Sequence, residues 1–273
     1  MALYLQTNNS ALIAENYFNM SNSAIQGSFT KLSSGYRINS AADDAAGLGI
    51  AKSMNAQVQS YSVASQNAND AVSMVQTADG SADQIDSLLT RMRELAVEAQ
   101  NGTMSTNDVA NLQTEYAQDL DEIDRVAGDA TFNGTNVLQG AQTTANDIAF
   151  QVGINGTTND QITVQFGGAD STSLGVNGTT VTSAGILGTI DTAMTSLATT
   201  RAGFGAAMNR LTDAASQIQS TQTNLSAALS TIQDVDVASE TANLAREQVL
   251  AQAGASVLAQ ANQTPQLALK LLQ

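Results

Sequence analysis

From Ile190 to Ile232 one heptad seam runs without a slip. It comprises Ile190, Met194, Leu197, Arg201, Phe204, Met208, Leu211, Ala215, Ile218, Gln222, Leu225, Leu229 and Ile232, alternately four and three residues apart. Mostly apolar residues at that spacing share one side of an α-helix, so the run predicts a long helix that lies along other helices. At about 1.5 Å per residue it would reach roughly 65 Å, about twice the width of a small domain, which predicts a molecule that is at least partly a rod. One seam covers one face only, and burying it does not offset the entropy of ordering so many backbones. Further faces must therefore be covered, by the amino-terminal helices or by copies of the same chain.

The breakers are concentrated in the middle of the chain. Eleven of the 20 glycines fall between Gly128 and Gly188, and the sole proline is Pro265. Long helices are thus permitted on both flanks. Ala14, Phe18, Ile25 and Leu32 form a first stripe that Ser33-Ser34-Gly35 interrupts. Ile50, Met54, Gln57, Tyr61, Ala64, Ala68, Ala71, Val75 and Ala78 form a second, with a stop expected at Gly80-Ser81 before Ile85, Leu88, Met92 and Leu95. Leu112, Tyr116, Ile123 and Val126 mark a third helix ending near Gly128. Asp234-Val235-Asp236 breaks the long seam, and a last helix is expected from about Ala238 to Ala261, with Leu244, Val249, Leu250, Val257 and Leu258 on a broad apolar arc suited to several neighbours.

Between the flanks the period changes to alternation. Ile148, Phe150, Val152 and Ile154 precede Asn155-Gly156, and Ile162, Val164 and Phe166 follow it, which predicts a β-hairpin with one buried face. The fold class is therefore mainly α, with long helices in coiled-coil-like bundles formed by both chain ends and a small β-hairpin region at about 129–189. All ten basic residues lie at or before Arg125 or at or after Arg201. Asp129, Asp147, Asp160, Asp170 and Asp191 are thus expected to stand unneutralised in the most solvent-exposed segment.

Composition removes several function classes. The net charge of -15 disfavours nucleic acid and anionic membrane as partners, since both are bound through clustered Lys and Arg. Cys and His are both absent, which removes thiol nucleophiles, imidazole bases and the commonest transition-metal ligands. No cofactor, metal or catalytic residue is expected. The first residues lack the basic and apolar regions of a cleavable signal, and no apolar run is long enough to span a bilayer. Only 13% of residues are charged, so much of the surface is expected to face other protein.

The motifs that could carry chemistry read better as structure. Asp43-Asp44 before Ala45 suits a helix cap, as does the Asp234 to Glu240 junction, which lacks the Gly and closing Glu of a calcium loop. Gly47-Leu-Gly49 and Gly203-Phe-Gly205 sit inside helical seams, where they are expected to allow close helix contacts. Asn101-Gly-Thr, Asn133-Gly-Thr, Asn155-Gly-Thr and Asn177-Gly-Thr fit a glycosylation sequon, yet Asn-Gly is first a turn dipeptide.

Longer motifs carry a family resemblance. The stretch from Leu32 through Gly35-Tyr-Arg-Ile-Asn-Ser-Ala-Ala-Asp-Asp44 to Leu48 resembles bacterial flagellin. Arg91-Met-Arg-Glu-Leu-Ala-Val97, Glu122-Ile-Asp-Arg125, Phe132-Asn-Gly134, Asn209-Arg-Leu211 and Leu258-Ala-Gln-Ala-Asn-Gln-Thr-Pro-Gln266 continue the likeness. The resemblance implies an extracellular structural subunit, not an enzyme, that polymerises into the flagellar filament used for motility. The alternative within the same fold is a hook-filament junction protein. It also implies a discontinuous inner-tube domain, 1–43 with 235–273, and an outer-tube domain, 44–234. The terminal segments are expected to order on polymerisation. Export is implied to proceed unfolded through the flagellar type III apparatus without a cleaved signal. Implied partners are other copies, hook-filament junction and cap proteins, an export chaperone and Toll-like receptor 5, the last through Arg91, Leu95 and Glu115. The helix-packing seam is expected at Ile190, Met194, Leu197, Phe204, Met208, Leu211, Ile218, Leu225, Leu229 and Ile232. The hairpin region leads almost directly into that seam, leaving no room for a large variable outer domain. A metallopeptidase, which some members carry there, would need a His-Glu-x-x-His site that is absent.

Overall fold

The computed structural model describes residues 7–140 and 147–271, the side chains of 264–271 excepted. Helix α1 (Asn9–Ser34) starts where the Asn8 side chain accepts the Ala11 amide, and it ends at Gly35. There φ is 77°, a left-handed conformation that glycine adopts without penalty, and the Gly35 amide closes onto the Lys31 carbonyl. Helix α2 (Ala45–Ala99) begins at Asp44, whose carboxylate accepts the Gly47 amide at 2.8 Å. Helix α3 (Thr106–Asp129) opens on a capping box between Ser105 and Asp108. Strands β1 (Thr131–Phe132) and β2 (Thr135–Asn136) pair across Asn133-Gly134, where φ is positive at both residues as a two-residue hairpin turn requires.

Strands β3 (Asp147–Gln151) and β4 (Gln161–Gln165) form the hairpin read from the alternation, with Ile148 opposite Val164 and Phe150 opposite Ile162. The link is wider than an Asn-Gly turn. Val152 and Gly153 both donate to the Asp160 carbonyl, so the chain closes around a short 3-10 turn at Thr158–Asp160. Helices α4 (Ile186–Gln233) and α5 (Val237–Leu271) complete the fold, and α5 continues past Pro265. Asp236 caps α5 by accepting the Ala238 and Ser239 amides at 3.0 and 3.2 Å.

Helix α2 corrects one expectation, since it does not stop at Gly80. Interrupting the helix there would abandon a seam that continues unbroken through Ala78, Ala82, Ile85, Leu89, Met92 and Ala96, all buried. A glycine costs an exposed helix only about 1 kcal/mol. At the other end, Ile50 is half-exposed and Ala51 takes the buried position. Close packing explains Gly47, where a Cβ would collide with Ile38 and the Asp44 carboxylate. It does not explain Gly49, Gly203 or Gly205, which face open space within this chain.

Contacts divide the chain into two compact units, one made of residues up to Ala56 and from Asn224 on, the other of Gln57–Thr223. The second holds the core. Met74, Ile85, Leu89, Met92 and Leu95 of α2 pack with Tyr116 and Ile123 of α3, with Ile162, Val164 and Phe166, and with Ile190, Leu197, Phe204, Leu211 and Ile218 of α4. The glycine-rich segment that charge alone marked as the most exposed joins this core: Phe166, Ala169, Ser171, Leu174, Val176 and Val181 are buried. Polar clips fasten it to α3. Asp124 accepts the Ser171 amide and hydroxyl at 2.7 and 2.9 Å, Gln113 accepts the Val181 amide, and the hydroxyls of Tyr116 and Thr179 meet at 2.6 Å. Two acidic residues expected to stand alone are also paired, Asp129 with Arg125 and Asp191 with Arg93.

In the first unit α1 and α5 run antiparallel along each other, from Asn8, whose side chain donates to the Ala261 carbonyl at 2.8 Å, to the far joint at Gly35 and Val235. The buried and partly buried positions follow heptads on both helices, Ala11, Ala14, Phe18, Ser21, Ile25, Ser28 and Leu32 on α1, and Glu240, Leu244, Glu247, Ala251, Gly254, Leu258 and Ala261 on α5, and Phe18 lies against Gly254. The joint is stitched by Val235 donating to Gly35 and Arg37 to Gln233. The Arg37 side chain donates to the Ile232 carbonyl at 2.7 Å, placing a cation at the negative end of α4.

Candidate assembly surfaces

The two units differ in how completely they bury themselves. In the terminal unit the buried described positions are Ala14, Ser21, Ser28, Ile38, Gly47 and Ala51, nearly all of them small. Leu12, Ile13, Tyr17, Met20 and Phe29 of α1 stay about half-exposed or more, and so do Val237, Val249, Leu250 and Val257 around α5. Ile13, Tyr17 and Met20, with Asn16 between them, line a shallow groove on the side of α1 away from Phe18. Each helix therefore spends one stripe on the other and offers a second apolar stripe to solvent. Contiguous exposed apolar surface of this kind marks a contact face.

The α4 seam shows the same change along its length. Ile190, Leu197, Phe204, Leu211 and Ile218 are buried, and Met194 and Met208 pack at the edge of the core. The centre of the buried stripe is turned slightly from the sequence-read seam, because Ala193 and Ala207 are also buried. Arg201, a charged member of that line, is held by Asp79 at 3.0 Å and Asp83 at 2.9 Å. Beyond Ile218 no described residue of α4 is fully buried, and Leu225, Leu229 and Ile232 are covered only in part.

Arg91, Leu95 and Glu115 come together where α2 passes α3. Arg91 donates through Nε and Nη2 to one oxygen of Glu115 at 2.9 and 2.7 Å, and through Nη1 to Glu94 at 3.1 Å. These carboxylates, Glu115 foremost, hold the guanidinium pKa above its ordinary value. Leu95 is fully buried, so it supports this surface and offers a partner none of its own. A fourth member is Asp119, one turn beyond Glu115, which its acidic neighbours Asp121, Glu122 and Asp124 suggest lies on a solvated helix face. One of its carboxylate oxygens is buried without a hydrogen-bond partner. Burial first, then the charge of Glu115, raises the Asp119 pKa, against the pull of Arg91. Among the described residues there is no group of acidic side chains suited to a metal ion, and no helix is long and apolar enough to cross a membrane.

Residues 5–143 match the family model described as bacterial flagellin N-terminal helical region, and residues 187–272 match the bacterial flagellin C-terminal helical region. The chain is 36% identical over 287 residues to the flagellar filament 30.7 kDa core protein of Treponema maltophilum, covering 99% of this chain and 100% of that protein. It belongs to the bacterial flagellin family. Flagellin of Bacillus subtilis is 36% identical over 299 residues, covering 97% of this chain and 98% of that protein. Flagellin of Xenorhabdus nematophila is 37% identical over 318 residues, with all of both chains covered. The two flagellin regions are separated only by residues 144–186, so this flagellin lacks a large variable domain. As a member of this family the chain is a structural protein and not an enzyme. The two matched regions are the ones that supply α1 and α5, the helices with unpartnered apolar stripes.

Proposed function

We infer that this chain is the subunit that polymerises into the flagellar filament, and that the terminal unit is the part completed by polymerisation. One observation carries the reading beyond family membership: α1 and α5 cover one stripe of each other and leave a second apolar stripe on each without an in-chain partner. The hydrophobic effect favours removing those stripes from water, and copies of the same helices supply the complementary surface. On this reading α1 and α5 line the inner tube, and the unit with its own core forms the outer tube. The filament and flagellin names of the relatives favour the filament subunit over the junction protein.

Family membership further supports export through the flagellar type III apparatus with an export chaperone, assembly between junction and cap proteins, and an extracellular place in the flagellum. It also supports recognition of the monomer by Toll-like receptor 5 through Arg91 and Glu115, with Leu95 holding α2 in place behind them. Both charged residues are accessible in the single chain.

Seeded polymerisation tests the central reading. Purified protein given filament fragments is expected to elongate them, as seen by sedimentation and electron microscopy. A truncation after Asp236 is expected to keep the second unit folded and to lose elongation. Protein that stays monomeric at high concentration with seeds present, or a truncation that forms normal filaments, contradicts it.

A further inference from the structure

Five arginines belong to the Gln57–Thr223 unit, and four of them hold carboxylates. Arg91 reaches Glu115 at 2.7 Å, Arg93 reaches Asp191 at 2.7 Å, Arg125 reaches Glu122 at 2.6 Å and Arg201 reaches Asp79 at 3.0 Å. Arg210 makes no ion pair among the described residues. Within this unit, whose other four basic residues are all paired, a cation left without an acid stands out. Arg210 also lines a cleft of about 230 Å³, between β4 and α4, with Thr163, Gln165, Gly203 and Ala206. The walls are short or polar side chains, and a Cβ at Gly203 would meet nothing, so the space is open. The cleft is also rigidly framed: Phe166, just past β4, and Phe204 of α4 are buried with ring centroids 5.7 Å apart.

We propose that this cleft is a contact between copies of the chain in the filament, with the Arg210 guanidinium receiving a carboxylate from a second copy. The proposal rests on the filament-subunit reading and names one of its contacts. Charge complementarity selects the occupant. Copies that carry -15 repel one another, and the charged group each most often presents is a carboxylate. An unpaired cation in a recess of small side chains accepts that group without displacing an internal partner. A charge pair at an interface raises the association rate and fixes register, so its loss appears first in elongation kinetics and in their salt dependence.

The test follows elongation on wild-type seeds for the full chain and for Arg210→Ala, Arg210→Glu and Arg210→Lys, with circular dichroism confirming the fold. Wild type and Arg210→Lys are expected to elongate at similar rates. Arg210→Glu is expected to slow at least about tenfold at low salt, and the deficit of Arg210→Ala to narrow as ionic strength rises. Carbodiimide is then applied to Arg210→Lys filaments grown from mixed light and heavy-isotope subunits. Mass spectrometry is expected to find the introduced amine coupled to an Asp or Glu of the other isotope. Wild type that fails to elongate overturns the filament reading itself. Wild type and Arg210→Glu that elongate equally at low salt, or coupling confined to one chain, overturns the Arg210 contact alone. At constant ionic strength, inorganic phosphate that changes wild type and Arg210→Ala equally supports the contact, whereas loss of the wild-type advantage only when phosphate is removed overturns it and assigns the cleft to a free anion.

Discussion

Asp119 shows how one side chain can set a pH dependence. Its folded-state pKa is raised by burial and by Glu115, so the folded chain binds its proton more tightly than the unfolded chain does. That contribution to stability is present below the ordinary carboxylate range and is lost as pH rises through the folded pKa. Asp119→Asn should therefore raise the melting temperature at neutral pH, and the gain should vanish near the unfolded carboxylate pKa, as paired melts across pH would show. A second residue-level prediction concerns Ser105, whose hydroxyl accepts the Asp108 amide at the start of α3. Ser105→Ala should cost about 1 kcal/mol in chemical denaturation of the second unit. Caps of this kind are legible in sequence because they act over three or four residues, and Asp44 and Asp236 were readable for that reason. Long-range partners are not. Arg93 meets Asp191 and Arg201 meets Asp79 across great sequence separations. Asp191 therefore looked unneutralised, whereas the pairing of Asp129 with Arg125, four residues earlier, was within reach of spacing alone.

At the scale of elements, periodicity carried most of the information. The seams of α1, α2 and α4, the hairpin alternation and the break at Asp234 to Asp236 are all visible as spacings. The misplaced stop in α2 arose from weighing one glycine above a seam that continued through it. Gly80→Ala should accordingly stabilise the chain by about 1 kcal/mol, since a Cβ there meets open space, and a thermal or denaturant melt reads this directly. The winding of the 166–185 segment onto α3 was not legible, because side chain to backbone clips such as Asp124 to Ser171 have no period. Along α4 the same seam should behave in two ways. Phe204→Ala, deep in the core, should cost about 3–5 kcal/mol in the monomer. Leu225→Ala, beyond the last buried residue, should scarcely move the monomer melt and should raise the concentration needed for polymerisation. Measuring both quantities on both variants separates in-chain packing from packing between copies.

Over the whole molecule, one unit completes itself and the other does not. Residues Gln57–Thr223 enclose a core of large apolar side chains, while the unit of the two chain ends buries mainly small residues and keeps apolar stripes in water. The sequence showed which helices the ends would form. It could not show which of their apolar positions would remain uncovered, because periodicity marks a stripe without naming its neighbour. Leu244 and Leu258 are partly buried, whereas Val249, Leu250 and Val257 of the same arc stay exposed. Amide hydrogen exchange on monomer and filament side by side shows whether copies of the chain cover what the ends leave open. Helices α1 and α5 are expected to exchange rapidly in the monomer, while the α2, α3 and α4 amides of the second unit are protected, and to become strongly protected in the filament. Terminal helices already as protected in the monomer as that core, with no change on assembly, would contradict that covering by copies.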